Sequence, residues 1–294
     1  FDVMKETFQS PKLQAALALD AVIGTPMGPR SPNTVFTYLH RFFGEVLGFE
    51  GATQVKGGMG MLGAALSNAA TDLGAVVRCD TSVASIDKTF DRVTGVTLSS
   101  GEHITAKLVV SSADPKTTFK SLLGYQHMEA GLVRRIEQIR FKSGTVKVHL
   151  ALSGLPTFAG LDQSALGQRL VIAPSLNALE SAFNPLKYDE SSARPVMDIS
   201  IPSINDPSLA PNGQHVLSAI VQYAPLNPKG GWEALRAPFM AAVISELTRY
   251  APDIASLITA EELLTPADLA ATFGMTGGNW HHGELTMDQV LMTR

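Results

Sequence analysis

Two groups of residues in this chain have types and spacing that could do chemistry. The run Gly57-Gly58-Met59-Gly60-Met61-Leu62-Gly63 spells, from Gly58, the G-x-G-x-x-G turn that brings a dinucleotide pyrophosphate to a helix N-terminus. The residues after it fit that use: a helical stretch from Met61 to Leu73, then Gly74 and the apolar strand Ala75-Val-Val-Arg-Cys-Asp80, ending on an acid where a ribose-binding carboxylate would sit. Towards the other end, His281-His282-x-Glu284 is the cluster of titratable side chains with catalytic character. It lacks the i, i+4 spacing of H-E-x-x-H and an obvious third ligand, so no metal site is expected. The plainer alternative is a polar loop in which Asn279 and His282 satisfy backbone groups.

The two uses of the glycine run make different demands on the residues upstream. A Rossmann first strand is buried on both faces and reads as a near-continuous run of Val, Ile or Leu. Here the five residues before Gly57 are Ala52-Thr-Gln-Val-Lys56, and a helical region of about 50 residues lies upstream where a dinucleotide fold normally begins. A glycine-rich turn that permits left-handed backbone and close helix packing accounts for the run with fewer demands.

Composition narrows the classes. With 294 residues, 45% hydrophobic and 17% charged, the chain can build one large core or two ordinary ones. A net charge of -4 with no Lys/Arg cluster argues against nucleic acid as the main partner. No apolar run reaches the roughly 18 residues of a membrane span, so no integral membrane segment is expected. Peripheral membrane contact and a homo-oligomer stay open. Cys79 is the sole cysteine, expected as a small buried side chain on a strand, and it fits a reducing compartment: the cytoplasm, or the mitochondrial matrix in a eukaryote. Neither G-x-S-x-G nor a P-loop is present. Phe1 at the start and the uncapped helical pattern Leu285 to Arg294 read like an excerpt.

Periodicity supplies the elements. Lys12 to Ile23 and Thr34 to Leu47 read as helices, the second with Phe36, Leu39, Phe42, Phe43 and Leu47 on one stripe, expected as core. Between Ala75 and Ala113 the period becomes that of strands, with Val83 to Ile86, Val93 to Leu98 and Leu108 to Val110 separated by turn chemistry. Asp114-Pro115 opens a helix holding Thr117 to Leu123. Next come a helix at Glu129 to Ile139, strands at Thr145 to Leu152, Val196 to Ile201 and His215 to Tyr223, and helices at Trp232 to Tyr250 and Pro266 to Phe273; residues 153 to 194 resist assignment. The expected class is α+β.

The ordered string Val55-Lys-Gly-Gly-Met-Gly-Met-Leu-Gly-Ala-Ala-Leu66, Gly74-Ala-Val-Val-Arg78, Val83-Ala-Ser-Ile86, Val93-Thr-Gly-Val96, Leu98-Ser-Ser-Gly-Glu102 and Leu108-Val-Val-Ser-Ser-Ala-Asp-Pro115 resembles the phytoene-dehydrogenase-like flavoproteins, relatives of the carotenoid desaturases within the amine-oxidase-type FAD superfamily. Within them it is most similar to the branch of pyridine nucleotide-disulphide oxidoreductase domain-containing proteins. The likeness continues through Pro202 to Pro211, Gly213-Gln-His-Val216, Leu264 to Leu269 and Gly277-Gly-Asn-Trp-His-His-Gly-Glu284.

The resemblance implies an FAD-dependent oxidoreductase that moves hydride from a small apolar substrate to flavin, with this chain as its middle portion. It implies a helical part of a substrate domain at 1–50, a partial FAD-binding Rossmann-like domain at 51–123, and a mixed or antiparallel substrate-domain sheet with flanking helices at 124–294. The N-terminal dinucleotide fingerprint and the C-terminal glycine-rich segment of such proteins are not in the sequence. Gly57 and Gly58 would then shape backbone near the cofactor, Val83 and Ala113 would meet it through backbone, and Asp80 would lose its ribose role. His282 and Glu284 match the pattern Gly-Gly-Asn-x-x-His-Gly-Glu and become the catalytic candidates, with Asn279 and His282 facing substrate. The contrasting expectation is an interaction module that keeps the fold without turnover.

Overall fold

The computed structural model describes residues 1–46 and 54–289; Leu47, Ala52, Thr53, the Phe43 side chain and Val290–Arg294, on which some sequence expectations fall, lie outside the described residues. Helices α1 (Asp2–Thr7), α2 (Pro11–Val22), α3 (Thr34–Val46) and α4 (Met59–Asp72) come first. Strands β1 (Val83–Thr89), β2 (Arg92–Leu98) and β3 (His103–Thr105) form a three-stranded antiparallel sheet in that order. A π-helical turn, Lys116–Leu123, and helix α5 (Ala130–Gln138) lead to β4 (Thr145–Leu152).

With β5 (Leu170–Ile172), β6 (Val196–Ser200), β7 (His215–Gln222) and β8 (Ile258–Leu264), β4 builds a five-stranded antiparallel sheet in the order β5-β6-β7-β4-β8. Helices α6 (Leu176–Phe183), α7 (Pro202–Asn205), α8 (Gly231–Thr248), α9 (Ile254–Leu257) and α10 (Pro266–Phe273) connect or succeed these strands.

Strand β4 shows why this sheet forms. Its even positions Val146, Val148, Leu150 and Leu152 are fully buried, as the two-residue side-chain period requires for a strand with one core face. In register across from them stand Val221, Ala219, Leu217 and His215 of β7. Helix α8 lays Trp232, Phe239, Met240, Val243 and Leu247 into the same core. Each such large side chain contributes about 1.5–3 kcal/mol when taken from water. The opposite face carries Lys147 and His149, both half-buried.

A second core joins the N-terminal helices to the sheet. Helix α2 starts cleanly, with the Ser10 hydroxyl accepting the Leu13 N–H and Pro11 in the first turn. It then packs Ala15, Ala18, Leu19 and Val22 against Leu176, Leu179, Phe183 and Tyr223. Gln222, fully buried at the end of β7, fastens the turn after α2. Its Oε1 accepts the Gly24 N–H at 3.1 Å, and its Nε2 donates to the Val22 and Thr25 carbonyls at 2.9 and 2.7 Å.

Several expectations are corrected. The segment Ala75 to Asp80 is not a strand: it has no ladder partner among the described residues, and Asp80 adopts a left-handed φ of 50° that an extended run cannot hold. Leu108 to Val110 likewise joins no sheet, and Leu108 and Val110 are exposed. Cys79 is exposed instead of buried. Among the described side chains of α3, Thr34 and Thr37 are buried, Phe36 and Phe42 are partly buried and Leu39 is half exposed, so these members of the stripe do not mark the core. Residues 153–194, unassigned from sequence, contain β5 and α6, and β3 and β8 were not legible as strands.

The Gln222 knot generates a stability prediction. Gln222→Leu keeps the bulk but strands the Gly24 N–H and the Thr25 carbonyl in the interior, while the Val22 carbonyl keeps the Thr25 N–H and hydroxyl, and each unpaired buried group costs about 1–3 kcal/mol. We expect a loss of about 3 kcal/mol or more, read as a lower urea midpoint with an unchanged denaturant slope.

Candidate functional site

The loop after α10 is built from tight backbone. A capping box starts α10, with the Thr265 hydroxyl accepting the Asp268 N–H while the Asp268 carboxylate accepts the Thr265 N–H. Gly277 and Gly278 then turn the chain with φ of 65° and 64°. A β-carbon at Gly277 would run into the Phe141 carbonyl oxygen, and one at Gly278 into that of Pro266. Only glycine satisfies both the left-handed backbone and the close approach.

Asn279 and Glu284 then grip the chain entering β4. Asn279, 2% exposed, donates from Nδ2 to the Lys142 carbonyl at 2.9 Å and accepts the His281 N–H on Oδ1 at 2.8 Å. Glu284, 5% exposed, accepts the Lys142 N–H at 3.1 Å and the Arg140 Nε–H at 3.1 Å, while its own N–H donates to the Arg140 carbonyl at 2.9 Å. The Arg140 guanidinium also holds Asp288 through two bonds and the Thr286 hydroxyl through one. Hydrogen bonding from Arg140 keeps the Asp288 carboxyl far below the usual carboxylate range.

The two histidines differ sharply. His281 accepts from Trp280 Nε1 on its Nε2 at 2.8 Å, which requires that nitrogen to be unprotonated. Burial, then the cationic surroundings of Arg41, His40 and His282, push its pKa down to about 4. His282 is exposed and sits at a left-handed φ of 54°, so it leaves the loop on the solvent side. Gly24, with φ of 82°, makes room for the Trp280–His281 pair, because a β-carbon there would meet both rings.

The other sequence candidates fall in three places. Ala113 is exposed and precedes Asp114, which is 3% exposed. Asp114 Oδ1 accepts the N–H groups of Lys116 and Thr117, and Oδ2 accepts the hydroxyls of Thr117 at 2.8 Å and Thr276 at 2.7 Å. Burial opposes its ionisation, but these bonds outweigh it and hold the carboxyl below its usual range. The exit from the three-stranded sheet is thus tied to the loop carrying Asn279 and His282. Gly57 and Gly58, at φ of 79° and 89°, sit elsewhere: the Gly57 N–H donates to the buried Asp206 carboxylate, and Gly58 caps α4. Val83 opens β1, paired with Leu98.

Sequence reasoning placed Asp114 at a helix start, where it accepts the Lys116 and Thr117 N–H groups, but missed its bond to Thr276, and it missed Arg140, Gln289 and the half-buried pair Lys147 and His149 on the open face of β4. Burial lowers the pKa of both Lys147 and His149. A polar residue at an alternating position of a strong strand was the available signal for the pair. Arg140 and Glu284 lie 144 residues apart, and nothing local in the sequence joins them. Among the described residues no group of three or more His, Cys, Asp or Glu could hold a metal ion, and no helix is long and apolar enough to cross a membrane.

His281 gives this loop a pH dependence of known sign. Its pKa is about 4 folded against an ordinary 6.5, so below pH 6.5 the unfolded chain binds the extra proton first. The stabilisation is complete above that value and is lost as pH falls through about 4. We expect about 3 kcal/mol to disappear between these limits. His281→Gln should flatten that fall in urea titrations run at pH 7 and pH 4.

Residues 7–229 match the family model described as flavin containing amine oxidoreductase. Over 99% of its length the chain is 35% identical to the pyridine nucleotide-disulfide oxidoreductase domain-containing protein 2 of Rattus norvegicus, covering 52% of that protein. It is 24% identical over 90% of its length to a lycopene-forming phytoene desaturase of Paracoccus sp., of which it covers 50%. The chain therefore spans about half the length of these curated relatives. Among solved structures, an oxidoreductase from Methanosarcina mazei superposes with a TM-score of 0.60 at 15% identity, covering 89% of this chain and 58% of that one. The fold is that of this oxidoreductase, with helices packed on an antiparallel sheet, and the chain belongs to the flavin-containing amine oxidoreductase family.

Proposed function

We propose that the intact protein is an FAD-dependent oxidoreductase that takes hydride from a C–C or C–N bond of an apolar substrate. In this reading, residues 1–50 and 124–294 supply the substrate-binding portion and residues 51–123 part of the FAD-binding portion. The observation that carries it is the Asp114–Thr276 bond of 2.7 Å, which holds the Ala113 crossing beside the Asn279–Glu284 loop within a flavin-family chain. The bound flavin would supply the hydride acceptor.

The chain's own residues fit one edge of that cofactor. Val83 and Ala113 are exposed, and Gly57 and Gly58 shape the turn leading into α4. The glycine run turns its first amides onto its own chain, Gly57 to Asp206 and Gly58 to the Val55 carbonyl. Exposed Val76, Val77, Leu108 and Val110 lie in strand-like sequence outside any sheet among the described residues, which fits a sheet that more chain would complete.

His282 is the residue we assign to substrate, as an orienting group or proton acceptor, since its side chain is exposed while His281 turns inward onto Trp280. Asn279 and Glu284 position it by fixing the loop on Lys142 and Arg140. An apolar recess of about 170 Å³ walled by Met4, Ala18, Val35 and Tyr38 supports the apolar substrate class. The lone, exposed Cys79 supports a reducing compartment, the cytoplasm or the mitochondrial matrix of a eukaryote.

Flavin absorbance of the purified full-length protein, and its bleaching by candidate substrates, test this reading. His282→Ala should leave the flavin content unchanged and slow bleaching by about 100- to 10,000-fold. A colourless full-length protein that cannot be reconstituted with FAD would sink it and leave a non-catalytic module.

A further inference from the structure

A recess of about 410 Å³ opens beside the entry to β4, within the range of about 300–1,000 Å³ usual for small-molecule sites. Phe183, Leu186 and Leu226 give it an apolar wall, and Lys142, Lys187 and Ser143 line it with donors. We propose that it binds an amphipathic monocarboxylate, with the acid group on Lys142 and the alkyl chain on the apolar wall. The inference concerns binding and does not rest on the flavin reading.

Lys142 is the anchor because its backbone is immobile and its side chain is not committed. Its N–H is held by Glu284 and its carbonyl by Asn279, while its side chain is exposed, and among the described residues no carboxylate forms an ion pair with it. Lys187 is set in place by Asn184 at 2.8 Å and by the face of Phe183, 4.6 Å from its ring centre, with Glu180 3.9 Å away. Ser143, 4% exposed, accepts the Thr145 N–H at 3.4 Å and has its own proton to donate.

Of the two ammonium groups on the lining, Lys187 already has Glu180 3.9 Å away, so Lys142 is the one positive charge there without an ion-paired carboxylate among the described residues, and Asp189 is the carboxylate on the lining itself. That balance favours one negative charge on the ligand. Asp189 opposes a second, so the same recess discriminates against dicarboxylates.

Calorimetric titration of the full-length protein with octanoate, octanol, octylamine and octanedioate tests the proposal, with and without bound flavin. Octanoate should bind about 10- to 100-fold more tightly than octanol, the usual gain of a charge-assisted bond, and more tightly than octylamine or octanedioate. Lys142→Gln should weaken octanoate about 10-fold, leave octanol unchanged and leave the thermal midpoint in place, since the backbone makes the structural bonds. Should the variant fail to fold, the octanoate-to-octanol ratio of the unaltered protein decides alone. Octylamine binding as tightly as octanoate, an unchanged affinity in Lys142→Gln, or no octanoate binding at about 10 mM would each overturn the proposal. Octanoate binding by a protein that takes up no flavin would support it and count only against the oxidoreductase reading.

Discussion

A carboxylate taken out of water must be paired, and Glu284 meets that constraint by fastening two distant parts of the chain. With 5% of its surface exposed, it is satisfied only when the Arg140 guanidinium and the Lys142 amide both reach it. Gln289 closes the arrangement from the other side, accepting the Arg140 N–H at 2.7 Å and donating to the Arg140 and Glu284 carbonyls. The direction in which the chain enters β4, the posture of the histidine loop and the location of the Lys142 side chain are all set by this group of bonds.

The rest of the molecule repeats the device with other residues. Asp206 takes the Gly57 amide, and Asp114 takes Thr276. Asp20 on α2, 7% exposed, lies between Arg169 at 2.6 Å and Arg41 at 3.5 Å, while Arg169 also bonds Asp198 of β6 at 2.9 Å. Arg169 thereby joins α2 to β6 through two carboxylates. Isolated surface ion pairs contribute little, but each of these has a buried carboxylate at one end. They specify which element meets which, and the hydrophobic cores then supply most of the free energy.

Legibility in the sequence divides along the same line. The bounds of β4 were legible from Val146 to Leu152 because one buried face writes a strict alternation, and α8 and α10 from their helical patterns, while the Thr265 to Asp268 box that starts α10 became visible only in the structure. Ala75 to Asp80 has strand composition, yet a strand also needs a neighbour, which composition does not encode. Edge strand β8 carries Glu261 and Glu262 and therefore lost its apolar period. At the candidate site the string from Asn279 to Glu284 was recognisable as a unit. Its partners Arg140 and Lys142 were not, since they are ordinary residues whose importance comes from long-range geometry.

The Gly57–Asp206 bond also bears on how the molecule is made. Its partners are 149 residues apart, and those of the Gln222–Gly24 and Arg140–Glu284 bonds are 198 and 144 apart. A ribosome delivers about 5–20 residues per second, so the N-terminal helices wait on the order of ten seconds or longer before β7 emerges to receive them. During that interval α4 exposes Met59, Met61, Leu62 and Leu66, which stay substantially uncovered even in the finished fold. Such a chain must close large loops before its local elements are secured against one another, the arrangement that slows folding and gives a chaperone time to bind.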